Sequence, residues 1–176
     1  GYGKIIATRC TSRWQASEGP EVIYRDGYYY LFLAYGSLSV EYNTRVCRSR
    51  NIDGPYVDIH GNSAMGSAQL YPILTAPYRF DNSYGWVGIS HCGIFDDGAG
   101  NWFYTSQGRF PVNVGGNEYS NAIMMGHVRS IRWDANGWPL VMPERYGAVP
   151  QAPITENEIA GDWEHLALTN NTGTQR

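Results

Sequence analysis

Glu18-Gly-Pro-Glu-Val-Ile-Tyr-Arg-Asp-Gly27 runs directly into Tyr28-Tyr-Tyr-Leu-Phe-Leu-Ala-Tyr-Gly36, and the pattern recurs downstream. The second copy is Ser90-His-Cys-Gly-Ile-Phe-Asp-Asp-Gly-Ala99, followed by Gly100-Asn-Trp-Phe-Tyr-Thr-Ser-Gln-Gly108. Glu18 and Ser90 are 72 positions apart, as are Gly36 and Gly108. Each copy continues into a third strand signal, Thr44–Ser49 and Gly126–Trp133. A turn follows each, Asp53-Gly-Pro55 and Asn136-Gly-Trp-Pro139, and leads to a short fourth run, Tyr56–Ile59 and Leu140–Met142. Each unit therefore reads as four short strands separated by Gly and Asn/Asp turns, the sequence form of a propeller blade. The first strand of a blade lines the central channel, so Glu18 and His91 are expected near one shared site. Two unrelated β-meanders in a sandwich fit the same strand count.

Composition supports an all-β chain. The 21 Gly and 9 Pro among 176 residues imply frequent turns. The 14 Tyr and 6 Trp suit either strand cores or stacking against sugar rings. A net charge of −3 with no basic run argues against a nucleic-acid partner. No apolar stretch approaches the ~18 residues that a membrane-spanning helix needs. Cys10, Cys47 and Cys92 form no CxxC pair, which disfavours zinc or redox chemistry. Cys47 and Cys92 fall in strand signals and are expected to be small buried hydrophobes.

Glu18 stands at the mouth of the aromatic strand run. A carboxylic acid held there, partly desolvated and lined by aromatic rings, keeps its proton near neutral pH. A general acid for glycosidic bond cleavage needs that property. A solvated turn glutamate before a core strand is the plainer reading.

Residues 1–17 read as the tail of an earlier blade, and 62–86 as a loop-rich link between the units. Gln151–Gly161 reads as a linker, Asp162–Leu168 as the first strand of something else, and Asn170–Arg176 as a polar end. The expected organisation is later blades over 1–150, then a linker and the start of a C-terminal β-domain over 151–176. Two blades do not close a propeller, which usually has four to eight.

The run Glu18-Gly-Pro, then Gly27-Tyr-Tyr-Tyr-Leu-Phe32, Tyr42-Asn-Thr-Arg-Val-Cys-Arg-Ser49 and Gly54-Pro-Tyr-Val-Asp58, resembles glycoside hydrolase family 43. The likeness is greatest to its arabinanases of the larger bacterial type with a C-terminal β-domain. Ser90-His91, Gly108-Arg-Phe-Pro111, His127-Val-Arg129, Asp134-Ala-Asn-Gly-Trp-Pro139 and Pro143-Glu-Arg-Tyr146 extend it, so that it covers about residues 1–168. The signal lies in the order and spacing of these motifs.

The resemblance implies a five-bladed β-propeller, of which this chain supplies roughly the last half, and hydrolysis of arabinan with inversion. It makes Glu18 the general acid and His91 a ligand of a central, mostly hydrated metal ion, usually calcium. Calcium prefers oxygen, so one imidazole with several waters is the acceptable form; a hydrogen-bonded core histidine is the alternative. Arg45 and Arg129, at matched third-strand positions, and Arg109 are candidates to bind sugar hydroxyls or orient carboxylates. Ion pairs at the surface or between blades are the other use for them. Tyr35, Tyr42, Trp86 and Trp102 are candidates for sugar stacking or core packing. The family's two catalytic aspartates come from blades that precede this sequence, and no Asp here is assigned to those roles. Where the family commonly has His-Asn-Ser, this chain has His91-Cys92-Gly93, which removes polar groups near the expected metal.

The function expected is an endo-1,5-α-L-arabinanase. The alternatives are an exo-acting arabinofuranosidase or xylosidase of the same family, or a non-catalytic carbohydrate-binding fragment. A second polypeptide or self-association is expected to complete the ring. Secretion or periplasmic export follows from a polymeric substrate.

Overall fold

The computed structural model describes residues 3–9, 17–38, 41–66, 69–77, 86–109, 124–148 and 155–163. Two four-stranded antiparallel sheets account for the strands. The first holds β1 (Ser17–Arg25), β2 (Tyr28–Tyr35), β3 (Asn43–Ser49) and β4 (Ile73–Thr75) in chain order. The second holds β5 (Gly93–Asp96), β6 (Trp102–Gly108), β7 (Met125–Trp133) and β8 (Pro139–Val141), also in chain order. One helical turn, α1 (Glu156–Ile159), lies in the stretch read as a linker. The all-β reading holds, and the strand expected from Asp162 falls mostly outside the described residues.

Local chemistry explains the first hairpin. Arg25 pairs with Tyr28, so Asp26 and Gly27 form a two-residue turn, with φ of 49° and 81°. Positive φ at both central residues matches the right-handed twist of the flanking strands. β2 is aromatic and aliphatic without alternation, and from Tyr30 to Tyr35 every residue is buried. A strand of that kind is covered on both faces.

The sheets stack blade-like, with β1 beside β5 and β4 beside β8. Tyr30 and Phe32 of β2 and Val46 of β3 pack against Ile94, Tyr104 and Ile131 of the second sheet, with Trp86, Ile89 and Trp138. Cys92 belongs to the same cluster. On the other face of β2, Leu31, Leu33 and Tyr35 pack with Cys47, Tyr56, Ala64 and Leu70. Residues 3–9 cover that side, where the Thr8 amide donates to the Ala64 carbonyl. Cys47 and Cys92 are buried free thiols, and burial pushes both up to about 12.

Two details differ from the sequence reading. Tyr56–Ile59 is not the fourth strand: Val57 makes only isolated bridges, to Arg48 and Ser63. The edge of β3 near Thr44 is taken instead by Ile73–Thr75, from within the loop-rich link. The 72-residue spacing also fails by one position in the middle strands. It equates Phe32 with Tyr104, yet Phe32 faces the second sheet while Tyr104 faces back to the first. Blades related by rotation present equivalent residues to the same side, so the two cannot be equivalent. The second hairpin closes through residues 97–101, a longer loop than Asp26-Gly27, and aligning glycine to glycine hides the slip.

Phe32 is fully buried between the sheets. Phe32→Ala is expected to lower the unfolding free energy of the complete protein by about 3–5 kcal/mol, read from the denaturant midpoint. A loss below about 1 kcal/mol would mean that the sheets do not depend on this packing.

Candidate active site

The pairing of β1 with β2 slips between Glu18 and Glu21, where Gly19 adopts φ 55°. A bulge of this kind re-aims the side chains around it. Glu18 lies exposed at this bend. Its Oε1 accepts a hydrogen bond from the Tyr42 hydroxyl at 2.5 Å. The same hydroxyl is 3.1 Å from Nδ1 of His91. His91 is exposed and itself adopts φ 59°, so the inner chain of each sheet turns through a left-handed residue, 72 positions apart. Here the repeat spacing does hold. Gly19 lies against the His91 ring: a Cβ at position 19 would stand 3.0 Å from it. With its positive φ, that makes glycine the residue this approach requires.

Tyr42 is buried to 1% exposure. It does not stack on sugars; its hydroxyl is spent on Glu18 and His91. Burial pushes the hydroxyl well above the usual phenol range, with the hydrogen bond to Glu18 adding to it. The neighbouring Asn43 fixes the turn that carries Tyr42, since its Nδ2 donates to the carbonyls of Tyr35 and Glu41. Asn43 Oδ1 in turn accepts from Nε of Arg45, whose Nη1 donates to the Leu70 carbonyl.

Arg45 therefore lies in the interior of the first sheet's outward face, 3% exposed, holding the turn beneath Tyr42. Arg129 is 1% exposed, faces the first sheet, and donates from Nε to the Pro143 carbonyl at 3.3 Å. The two arginines look the same way round the stack. Among the described residues neither pairs with a carboxylate. Arg109 is buried at the end of β6, where its backbone pairs with Val87 and its charge lies near Tyr42. Tyr35 lies under Arg9, Trp86 meets the edge of His127, and Trp102 meets Trp133. All three rings are used in packing.

The aspartates of the sheets are occupied. Asp58, Asp97 and Asp134 each accept backbone amides in their own turns. Asp53 pairs with Lys4 and Asp26 with Arg25. Sequence reading missed the roles of Tyr42 and Gly19. The glycine directly after the acid was the available signal for the second.

A metal held by His91 fits the donor chemistry in one form only. Nδ1 is engaged by Tyr42, which leaves Nε2 as the coordinating nitrogen. Among the described residues no group of three or more His, Cys, Asp or Glu gathers to hold an ion. An ion held there would be bound by this one imidazole, with waters filling its other positions. Cys92 points into the apolar cluster, and a Cβ at Gly93 would meet Oγ1 of Thr105 at 2.9 Å.

The family model of glycosyl hydrolases family 43 matches residues 2–139, and the chain belongs to that family. It is 30% identical to extracellular endo-α-(1→5)-L-arabinanase 2 of Bacillus subtilis over a 186-residue alignment, which covers 93% of this chain and 38% of that protein. The crystal structure of an endo-1,5-α-L-arabinanase from Thermotoga petrophila in complex with TRIS matches with a TM-score of 0.79 at 27% identity, covering 99% of this chain and 41% of that one. The family 43 YxiA protein of Bacillus licheniformis matches with a TM-score of 0.73 at 27% identity, covering 90% of this chain and 39% of that one. The chain thus spans about two fifths of the length of these relatives.

His127, 2% exposed on β7, gives this region a pH dependence. Burial lowers its pKa to about 4, and Arg129 and Arg145 add repulsion. Unfolded, the ring titrates near 6.5. The unfolded chain binds the extra proton between those values, so this contribution is complete above about pH 6.5 and is lost as pH falls toward 4. Stability is expected to fall over that window. His127→Leu should flatten the fall in denaturation at stepped pH; an unchanged slope would assign the dependence to other groups.

Proposed function

We propose that this chain is the acid-bearing portion of an endo-acting arabinan hydrolase that works with inversion, with Glu18 as the general acid. One observation carries the reading. Glu18 stands exposed where the two inner strands meet, with one carboxyl oxygen held by a buried hydroxyl beside His91. Family membership and the endo-arabinanase names of the relatives support the substrate class.

In the proposed reaction Glu18 gives its proton to the glycosidic oxygen as the bond to the anomeric carbon breaks. A water attacks that carbon from the opposite face and loses its proton to a carboxylate base. Inverting enzymes hold the two carboxyl groups about 6.5–9.5 Å apart, leaving room for the water. The turn-bound aspartates of these sheets are poorly suited to be the base, so the reading assigns that role to an aspartate of another segment. Arg109 is proposed to face the sugar-binding cleft, and Arg45 and Arg129 to hold the scaffold. A calcium ion on His91 Nε2 would supply positive charge at the centre of the site.

Apolar surface at both ends of the stack supports completion by further blades. Val22 and Tyr24 are exposed on the outward face of β1, and Phe95, Val128, Leu140 and Tyr146 on the far side of the second sheet. Patches of this kind mark contact surfaces. The occupant proposed is the remaining blades, whether on the same polypeptide, a second one or another copy. The relatives' extracellular names support export. Among the described residues no helix is long and apolar enough to cross a membrane.

Glu18→Gln keeps the shape and removes the transferable proton. In the complete protein it is expected to lower kcat on arabinan by at least about 100-fold, with the melting temperature nearly unchanged. Near-normal turnover on arabinan would remove Glu18 from the role.

A further inference from the structure

We infer that Tyr42 is a positioning residue that decides which oxygen of Glu18 delivers the proton and stabilises the carboxylate left behind. The inference rests on Glu18 being the general acid. It begins from the count of hydrogens. The Tyr42 hydroxyl touches two partners, Glu18 Oε1 at 2.5 Å and His91 Nδ1 at 3.1 Å, and has one proton to give. If it donates to His91, it must accept from Glu18, and the Glu18 proton then sits on Oε1, facing the buried ring. If it donates to Glu18, it accepts from a proton on His91 Nδ1, and Oε2 carries the transferable proton.

Only the second arrangement presents an acid to a substrate. It also leaves the lone pair of His91 on Nε2, the nitrogen not engaged by Tyr42. One set of proton positions therefore serves all three residues. The surrounding structure holds the hydroxyl in place. Tyr42 is buried to 1% exposure, and Asn43 and Arg45 brace the turn that bears it. The ring alone would pack as phenylalanine; the hydroxyl is what reaches both partners.

The contact also favours reaction over the resting state. As the proton leaves Oε2 for the glycosidic oxygen, the C–O bond breaks and its electron pair stays on the departing sugar oxygen. Glu18 becomes a carboxylate, and Tyr42 keeps its own proton. A hydrogen bond to a charged acceptor is roughly twice as strong as one between neutral groups. The Tyr42 bond therefore tightens as charge develops, which is the condition for accelerating the step.

The test uses the complete protein and two substrates: a linear arabino-oligosaccharide, whose departing group is a poor sugar alkoxide, and a nitrophenyl arabino-oligoside, whose departing group hardly needs an acid. Tyr42→Phe is expected to lower kcat on the oligosaccharide about 10- to 100-fold, with KM little changed. On the nitrophenyl substrate the loss should stay within about 3-fold. Equal losses on both, or none on either, would overturn the inference. Glu18→Gln, run in parallel, separates the two proposals. If it too lacks a leaving-group dependence, the acid assignment fails. If it shows one and Tyr42→Phe does not, only the role of Tyr42 fails. Should Tyr42→Phe not fold, 3-fluorotyrosine at position 42 preserves the packing with a stronger donor. It is expected to raise kcat on the oligosaccharide and leave the nitrophenyl rate unchanged, and the absence of that contrast would overturn the inference.

Discussion

The hydroxyl of Thr44 ties the two sheets together, and the site depends on that tie. Its Oγ1 lies 2.8 Å from Ser90 Oγ and 2.7 Å from the Tyr104 hydroxyl, and all three groups are buried with 0% exposure. Buried hydroxyls without partners cost about 1–3 kcal/mol each, so these groups are satisfied only when the sheets sit in one register. Thr75 extends the set, accepting from the Thr44 amide and donating to the Ile89 carbonyl. Tyr42 lies two residues before Thr44, and His91 directly follows Ser90. The polar tie that sets one sheet on the other therefore also sets Tyr42 against His91. Apolar packing around Phe32 and Tyr104 supplies the attraction; the hydroxyls supply the position.

This arrangement separates holding from acting. Arg45 and Arg129, the turn-bound aspartates and most of the aromatic rings hold the scaffold. Among the described residues, the groups proposed for chemistry are the exposed Glu18 carboxyl, the buried Tyr42 hydroxyl and the exposed His91 imidazole. An inverting hydrolase needs its two carboxyl groups apart, on opposite sides of a sugar. A ring of blades meets that need by placing them on different blades, which fits the proposal that Glu18 is the acid and that the base lies in another segment.

Much of this was legible in the sequence. The aromatic run Tyr28–Tyr35 declared a strand, and Asp26-Gly27 the turn before it. The repeat placed Glu18 and His91 together because both inner strands bend at the same step, at Gly19 and His91. Other features were not legible for physical reasons. Ile73–Thr75 is three residues long and owes its strand character to the edge of β3, not to its own pattern. The slip in the middle strands comes from a longer hairpin loop, which a glycine-to-glycine alignment absorbs. Tyr42 reads as a ring for either sugar stacking or core packing because a sequence displays a ring and hides where its hydroxyl points. Arg45 reads as either a ligand-binding group or an ion-pair partner because its actual partners, Asn43 and a carbonyl at Leu70, meet it only in three dimensions.

The most direct test of the central claim is a crystal structure of the complete protein, as the Glu18→Gln variant, with an arabino-oligosaccharide spanning the cleft. The account predicts that the side chain at position 18 lies within hydrogen-bond distance of the scissile glycosidic oxygen. It further predicts that the Tyr42 hydroxyl holds the other end of that side chain, with an aspartate from another blade across the sugar. A different carboxyl group at that oxygen, with position 18 turned away from the substrate, would contradict it.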